Sequence, residues 1–260
     1  MRRVSDKPVV LLGGDKKSTR IVYHALRQDF PRLSVILEPP APRLGVMRGR
    51  RRRLGTMEVL GQAAFVGFVV PLLRLKERGR IREIIRANGL DVSEIPEPAV
   101  RVNSVNSDEC RLCLRRLDPA VVVVNGTRII EPATLSAVPA PFINMHAGIT
   151  PLYRGGHGAY WAVAEGRPEL AGTTIHIVDE GVDTGPVIAQ ARFEVSPEDC
   201  FVTYPYLHLA AGLPFLKEAV RSALAGELSP MPNPPAMASK LRYHPTVWGY
   251  LSRRIFEGVR

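Results

Sequence analysis

Three short runs without polar alternation, "VVLLGG" (Val9 to Gly14), "LSVILEPP" (Leu33 to Pro40) and "AVVVVNG" (Ala120 to Gly126), constrain this chain more than any other feature. A strand with one face in water alternates apolar and polar residues, whereas a strand apolar at every position is covered on both faces. Such strands belong to a parallel sheet sandwiched between helices. The intervening sequence agrees: Ile21, Val22 and Leu26 recur at helical spacing, and so do Cys110, Cys113, Leu114 and Leu117 in "SDECRLCLRRL". The order strand, helix, strand, helix, strand predicts an α/β chain with a doubly wound, mostly parallel sheet. At 260 residues, 45% of them hydrophobic, the chain can bury one large core and carry a small appendage.

Three cysteines, Cys110, Cys113 and Cys200, are an odd count and too few for a disulfide scaffold, so a reducing cytoplasm is expected. Near the start, the apolar run from Pro8 to Gly14 is too short for a signal peptide and ends in charge. Cys110 and Cys113 form a C-x-x-C with no further ligand evident nearby; core packing explains them better than a metal. The net charge of +10 favours anionic company: nucleotide, phosphate, tRNA or lipid. After Gly13 and Gly14, the residues Lys16, Lys17, Ser18 and Thr19 could hold a phosphate, or the glycines could make only a tight turn. Neither the spaced-glycine dinucleotide pattern nor a Walker-type loop is present, which weakens any case for NAD or ATP chemistry.

Between Arg43 and Gly79 the pattern changes. The block "RGRRRR", Arg48 to Arg53, precedes the uncharged run "VLGQAAFVGFVVPLL", Val59 to Leu73. A spanning helix needs about 20 apolar residues, and this run is shorter and carries Gln62 and Pro71. Two readings stand: a buried helix capping the sheet, or a helix that lies on anionic lipid through residues 48–75.

The chemistry concentrates further on. "FINMH" reads as a strand whose end presents Asn144 and His146 on one side, because strand side chains alternate with period two. The loop "AGITPLYRGG" follows, then a helix from about Ala159. A second segment, "GTTIHIVDEGVDTGPVIAQARFEV", reads as a strand with Thr174, His176 and Val178 alternating, a loop with Asp179, Glu180 and Asp183, and a strand from Val187 to Val195. A carboxylate beside an imidazole orients it and raises its basicity, while an amide N–H can donate to a developing oxyanion. Asn, His and Asp together suit acyl transfer without a covalent intermediate. His176 is read as a packed or hydrogen-bonded histidine and His157 as a loop residue.

"NMHAGITPLYRG" followed by "GTTIHIVDEGVDTGPVIAQ" resembles the folate-dependent formyltransferase family of glycinamide ribonucleotide, methionyl-tRNA and sugar N-formyltransferases, over Val9 to about Gly226. The resemblance implies a Rossmann-like catalytic domain over 1–226 with a helical insert at about 43–79. It further implies 10-formyltetrahydrofolate as co-substrate, no metal, and Asn144, His146 and Asp183 as catalytic residues. Arg128, Ile129 and Ile130 are the implied pterin contacts, with Val178, Asp179, Glu180, Gly181 and Val182 opposite. Tyr153, Arg154, Gly155 and Gly156 are expected at the acceptor.

Two departures bear on that acceptor: "HAGITP" has Gly148 where the family has Ser, and the early glycine loop lacks the family's phosphate-holding Ser-Asn pair. The 34 residues after Gly226 are too few for the β-barrel of the tRNA-specific members, which argues against nucleic acid as partner. A small amine, an amino sugar in nucleotide linkage, is therefore expected as acceptor. Glycinamide ribonucleotide, methionyl-tRNA, hydrolysis of the folate, and an inactive folate-binding or partner-binding protein are the alternatives. Residues 227–260 are read as a proline-rich linker and a helical extension. In that extension Trp248, Leu251 and Ile255 share a face that docks on the body or on a second subunit of a homodimer.

Overall fold

Along β1 (Val9–Gly14), Val9 and Leu11 pack into one apolar cluster and Val10 and Leu12 into another on the opposite face of the sheet. The same division splits β4 (Val121–Asn125), which sends Val121 and Val123 one way and Val122 and Val124 the other. Both strands are covered on both sides, which is why neither alternates. Each fully buried valine contributes roughly 1.5–3 kcal/mol relative to exposure. The computed structural model describes residues 7–96, 98–232 and 239–260.

Seven strands form the sheet, in the order β3-β2-β1-β4-β5-β7-β8. From β3 (Val100–Arg101) through β2 (Leu33–Glu38), β1 and β4 to β5 (Phe142–His146) all pairings are parallel. β7 (Gly172–Ile177) and β8 (Val187–Arg192) then add antiparallel. One face is covered by α1 (Lys17–Arg27) and by α9 (Tyr204–Ala225), which contributes Leu209, Leu213, Leu216 and Val220. The other is covered by α6 (Asp108–Leu117), through Cys110 and Leu114. The two cysteines of the C-x-x-C are free thiols, Cys110 buried and Cys113 half-buried; burial pushes the Cys110 thiol up to about 12.

Between β2 and β3 lies a helical stretch: α2 (Arg43–Leu54), α3 (Thr56–Ala64), a π-turn (Phe65–Val69), α4 (Val70–Lys76) and α5 (Arg78–Ala87). Pro71 has no N–H for the helix ladder, and just before it the Val70 N–H bonds the Phe65 carbonyl with the wider π spacing. Phe65, Val70 and Leu73 pack into a third cluster with Phe201, Tyr160 and Tyr250. α7 (Pro132–Leu135) lies between β4 and β5, and after β5 come β6 (Tyr153–Gly155) and α8 (Gly158–Ala164).

The C-terminal segment is woven into the body. β9 (Lys240–Arg242) pairs in parallel with β6, and α10 (Val247–Phe256) packs on α3. Residues 233–238 of the proline-rich stretch lie outside the described residues. The face by which α10 docks corrects the sequence expectation. Tyr250 is the buried residue, Arg253 lies over the Trp161 ring and Arg254 over the Tyr250 ring, while Leu251 and Ile255 point outward. Tyr250 and the half-buried Val247 pack into the third cluster, and Arg253 lies on Trp161 of α8.

Candidate functional site

The crossover from β1 to β4 reverses the winding of the sheet, and ligands of open α/β sheets settle beyond the strand ends at such a point. Here the ends are tied together. The Asn125 amide nitrogen donates to Ser18 Oγ (3.1 Å) and Thr19 Oγ1 (3.0 Å), and Lys16 Nζ donates to the Gly126 carbonyl (2.9 Å). β5 ends beside them, so Asn144 and His146 emerge at the same edge of the sheet.

The antiparallel register of β5 and β7 sets Asn144 opposite His176 and His146 opposite Thr174. His176 Nδ1 lies 2.7 Å from the Ile177 carbonyl, so Nδ1 carries the proton and Nε2 accepts. The Asn144 amide nitrogen, 3.1 Å away, is its donor. That contact settles which way the amide points and leaves a second N–H on the same nitrogen.

His146 is buried and donates through Nε2 to the Tyr153 carbonyl (2.7 Å), which leaves Nδ1 facing Asp183 Oδ2 at 3.3 Å. Asp183 sits in the left-handed region (φ 53°), a strained conformation held in place by its contacts. Its Oδ2 accepts from the Gly155 N–H (2.9 Å), and its Oδ1 lies 3.6 Å from His176 Nε2. Burial pushes the Asp183 carboxyl up, but the polar contacts around it, the Gly155 N–H among them, hold it below the ordinary carboxylate value. Burial likewise pushes the His146 imidazole below its ordinary value, against the opposing pull of Asp183. The pair is therefore a carboxylate beside a neutral imidazole with an available lone pair.

Gly148 has a local cause. A Cβ there would lie 2.5 Å from the Tyr153 carbonyl and 2.9 Å from His146 Nε2, so a serine would force apart the bond that orients the imidazole. Asp179 has a different task from Asp183: its carboxylate accepts from Thr184 Oγ1 (2.8 Å) and the Gly181 N–H (3.2 Å), closing the turn.

Two cavities meet at this cluster. One, of about 320 Å³, is lined by Asn144, His146, His176 and Asp183 together with Arg128, Ile129, Ile130, Val178, Asp179, Gly181 and Val182. Glu180 is exposed and outside this lining. Arg128 reaches the wall, but its guanidinium is engaged elsewhere, with Nε 2.6 Å from the buried Glu38 carboxylate. The other cavity, of about 570 Å³, is lined by Lys16, Ser18 and Arg50 at one side and His157, Tyr160, Phe201, Tyr204 and His208 at another. Gly126, Thr127, Met145, Ala147 and Gly155 belong to both.

Of the residues expected at the acceptor, Gly155 and Gly156 line the larger cavity, whereas Tyr153 and Arg154 line neither. The Tyr153 side chain is buried, and Arg154 bonds Ser239 Oγ (2.6 Å) and the Val182 carbonyl (3.4 Å). His176 is buried and hydrogen-bonded as read, but its place beside Asn144 and the whole of His208 escaped the sequence reading. The first acquires its place from strand register and the second from a helix distant in sequence, and neither leaves a local signal. His157, read as a loop residue, lies tilted against Phe201 with ring centroids 4.3 Å apart, at the cavity wall.

A family model described as formyl transferase matches residues 68–206, which include Asn144, His146 and Asp183. Methionyl-tRNA formyltransferase of Anaeromyxobacter dehalogenans (strain 2CP-C) is 34% identical over 181 residues, 67% of this chain and 55% of that protein. The chain spans about half the length of the curated relatives it matches. Glycinamide ribonucleotide transformylase 1 from Symbiobacterium toebii superposes with a TM-score of 0.55 at 20% identity, covering 86% of this chain and 90% of that one. The N-formyltransferase from Helicobacter canadensis, solved in complex with folinic acid and dTDP-3-aminofucose, gives 0.55 at 13% identity, covering 90% and 70%. At these identities the two solved structures share the fold.

Proposed function

Because the chain belongs to the formyl transferase family, we propose that the cluster of Asn144, His146 and Asp183 transfers a formyl group from 10-formyltetrahydrofolate to the primary amine of a small anionic acceptor, an amino sugar in nucleotide linkage. The observation that carries this reading is the meeting of two cavities along one shared wall at the catalytic cluster, as a reaction between two substrates requires. The smaller cavity, walled by two loops and by the apolar Ile129, Ile130 and Val178, suits a flat pterin ring. The larger has room for a nucleotide-sized ligand, with Lys16 and Arg50 placed to meet its phosphates and aromatic rings to meet its base or sugar.

The residues divide the work as their bonds dictate. His146 Nδ1 takes the proton of the attacking amine; the resulting imidazolium then has Asp183 Oδ2 on one nitrogen and the Tyr153 carbonyl on the other. The Asn144 amide, oriented by His176, donates its second N–H to the formyl oxygen as charge develops there. Asp183 holds the imidazolium until the proton passes on, directly or through water, to the departing folate nitrogen. Neither a metal nor a covalent enzyme adduct enters this sequence.

A methionyl-tRNA acceptor is the second reading, favoured by the names of the curated relatives and by Arg50 at the mouth of the larger cavity, with Arg51, Arg52 and Arg53 exposed beside it. Incubation with 10-formyltetrahydrofolate and each amine in turn separates the two. Mass spectrometry is expected to show one formyl group gained by an amino sugar nucleotide, and none by glycinamide ribonucleotide or methionyl-tRNA. Formyl-methionyl-tRNA as the sole product would replace the first reading with the second. Formate release unaffected by any amine would make the protein a hydrolase.

A further inference from the structure

The stretch from Thr56 to Lys76 is long and apolar enough to cross a membrane. Its packing says otherwise. Phe65 is fully buried, edge-on to Phe201 (ring centroids 4.8 Å) and tilted on Tyr250 (4.9 Å), and Val59, Val70 and Leu73 are buried on the same side. One face therefore belongs to the protein core and cannot be given to lipid. The opposite face is exposed and apolar throughout: Met57, Leu60, Val66, Phe68, Leu72 and Leu75, with Phe68 73% and Leu72 67% accessible. No charged residue occurs from Val59 to Leu73. Over 18 residues this face extends about 27 Å.

α10 continues it. Trp248 lies against Gly61, and because the arginines of α10 turn inward, Leu251, Ile255 and Phe256 remain outside, Phe256 81% accessible. Two adjacent helices thus leave one uncovered apolar surface, larger in its exposed side chains than scattered surface hydrophobics account for. Its ends carry mostly positive charge, with Glu58 half-buried in the first turn of α3 and Glu257 exposed at the end of α10 among the exceptions. Arg51, Arg52 and Arg53 are exposed before the apolar face, and Arg74 and Lys76 after it. A second copy of the chain would bring these cations, and a net charge of +10 on each partner, against one another. An anionic sheet with an apolar interior complements both features at once.

We propose that the face formed by α3, the π-turn, α4 and α10 docks the protein flat on an anionic phospholipid bilayer. The exposed apolar side chains enter the acyl boundary, the arginines meet lipid phosphates, and Trp248 lies at the headgroup level. The core-facing side of the same helices stays in the protein, so the association is peripheral.

The test is co-sedimentation of the full chain with phosphatidylcholine vesicles with and without phosphatidylserine, across a salt series. Binding is expected only with phosphatidylserine present, falling as salt rises because exposed charge attraction is screened within about 10 Å at 0.1 M. The double variant Phe68→Ser, Leu72→Ser is expected to lose at least tenfold in vesicle affinity with its thermal transition unchanged, since both side chains already face water. Arg51→Ala with Arg52→Ala is expected to lower the salt slope. Absence of binding to anionic vesicles at low salt would refute the proposal. So would wild-type affinity in the Phe68, Leu72 variant, which would reduce the contact to charge alone. A stable dimer in solution that dissociates in that variant would assign the surface to a second copy.

Discussion

Nδ1 of His146 lies 3.3 Å from Asp183, while Nε2 is committed to a backbone carbonyl, so the imidazole has one nitrogen free to change protonation. The proposed mechanism needs the neutral ring, and burial holds its pKa below the ordinary 6.5. Activity is then present above that folded-state pKa and lost as pH falls through it, and kcat/KM is expected to show an acid limb centred below 6.5. Asp183→Asn removes the charge that raises the imidazole, so whatever activity remains should have its limb displaced further to acid. A limb centred above 6.5 in the wild type would rule out this protonation assignment. The same substitution is expected to lower kcat roughly 10²–10⁴-fold, and Asn144→Ala roughly 10²–10³-fold. Combining Asn144→Ala with His146→Ala should cost little more than the worse single change, since both serve one transition state. Asp179→Asn, which weakens the bonds to Thr184 and Gly181, should raise KM for the folate while keeping most of kcat.

β6 and β9 connect the C-terminal segment to this chemistry. Gly155, at the end of β6, gives its N–H to Asp183 and bonds into the parallel pair with Arg242. Its φ is +85°, and a Cβ would stand 2.4 Å from the Arg242 carbonyl. Gly155→Ala is therefore expected to push β9 away and shift the N–H that holds Asp183. Steady-state kinetics should show kcat reduced at least tenfold, with the amplitude of the thermal transition retained. Unchanged kcat would mean that β9 is a passive covering. Sequence periodicity identified α10 but not the face it turns to the body, because periodicity along one helix takes no account of what the neighbouring elements offer. Tyr250 enters the core beside Phe65 and Arg253 lies over Trp161 of α8, which leaves Leu251 and Ile255 outside.

Across the molecule, histidines kept neutral by burial gather around the larger cavity. Burial lowers His208 to about 3, burial and the Arg50 charge lower His244 to about 4, and burial, His244 and Arg50 hold His157 well below its ordinary value. Each protonates in the unfolded chain near 6.5 and in the folded protein only at lower pH. Their share of stability is thus complete above 6.5 and lost progressively as pH falls toward 4. Each such group can withdraw up to about 1.4 kcal/mol per pH unit in that window. At about 2–4 °C per kcal/mol for a chain of this size, Tm should fall by several degrees between pH 6.5 and pH 5, and His208→Leu should flatten the slope. A pH-independent Tm over that interval would show that these rings are not neutral in the folded state.

The central strands and the helices between them were legible because burial on both faces imposes a local pattern, apolar at every position, that no tertiary contact has to supply. Asn144 and His146 were legible for a related reason: period-two alternation aims both at one side of the same strand end. Asp183 came from motif resemblance, not from spacing, since a loop carboxylate has no period. The pairing of His176 with Asn144, the place of His208 and the pairing of β6 with β9 were decided by tertiary structure alone. Each depends on a partner 30 or more residues away, on strand register or on the packing of a late helix, and none alters the hydrophobic pattern around it. The outward apolar face of α3, α4 and α10 belongs to both accounts. Composition shows how apolar these helices are, but only the position of the core determines which side of them is left uncovered.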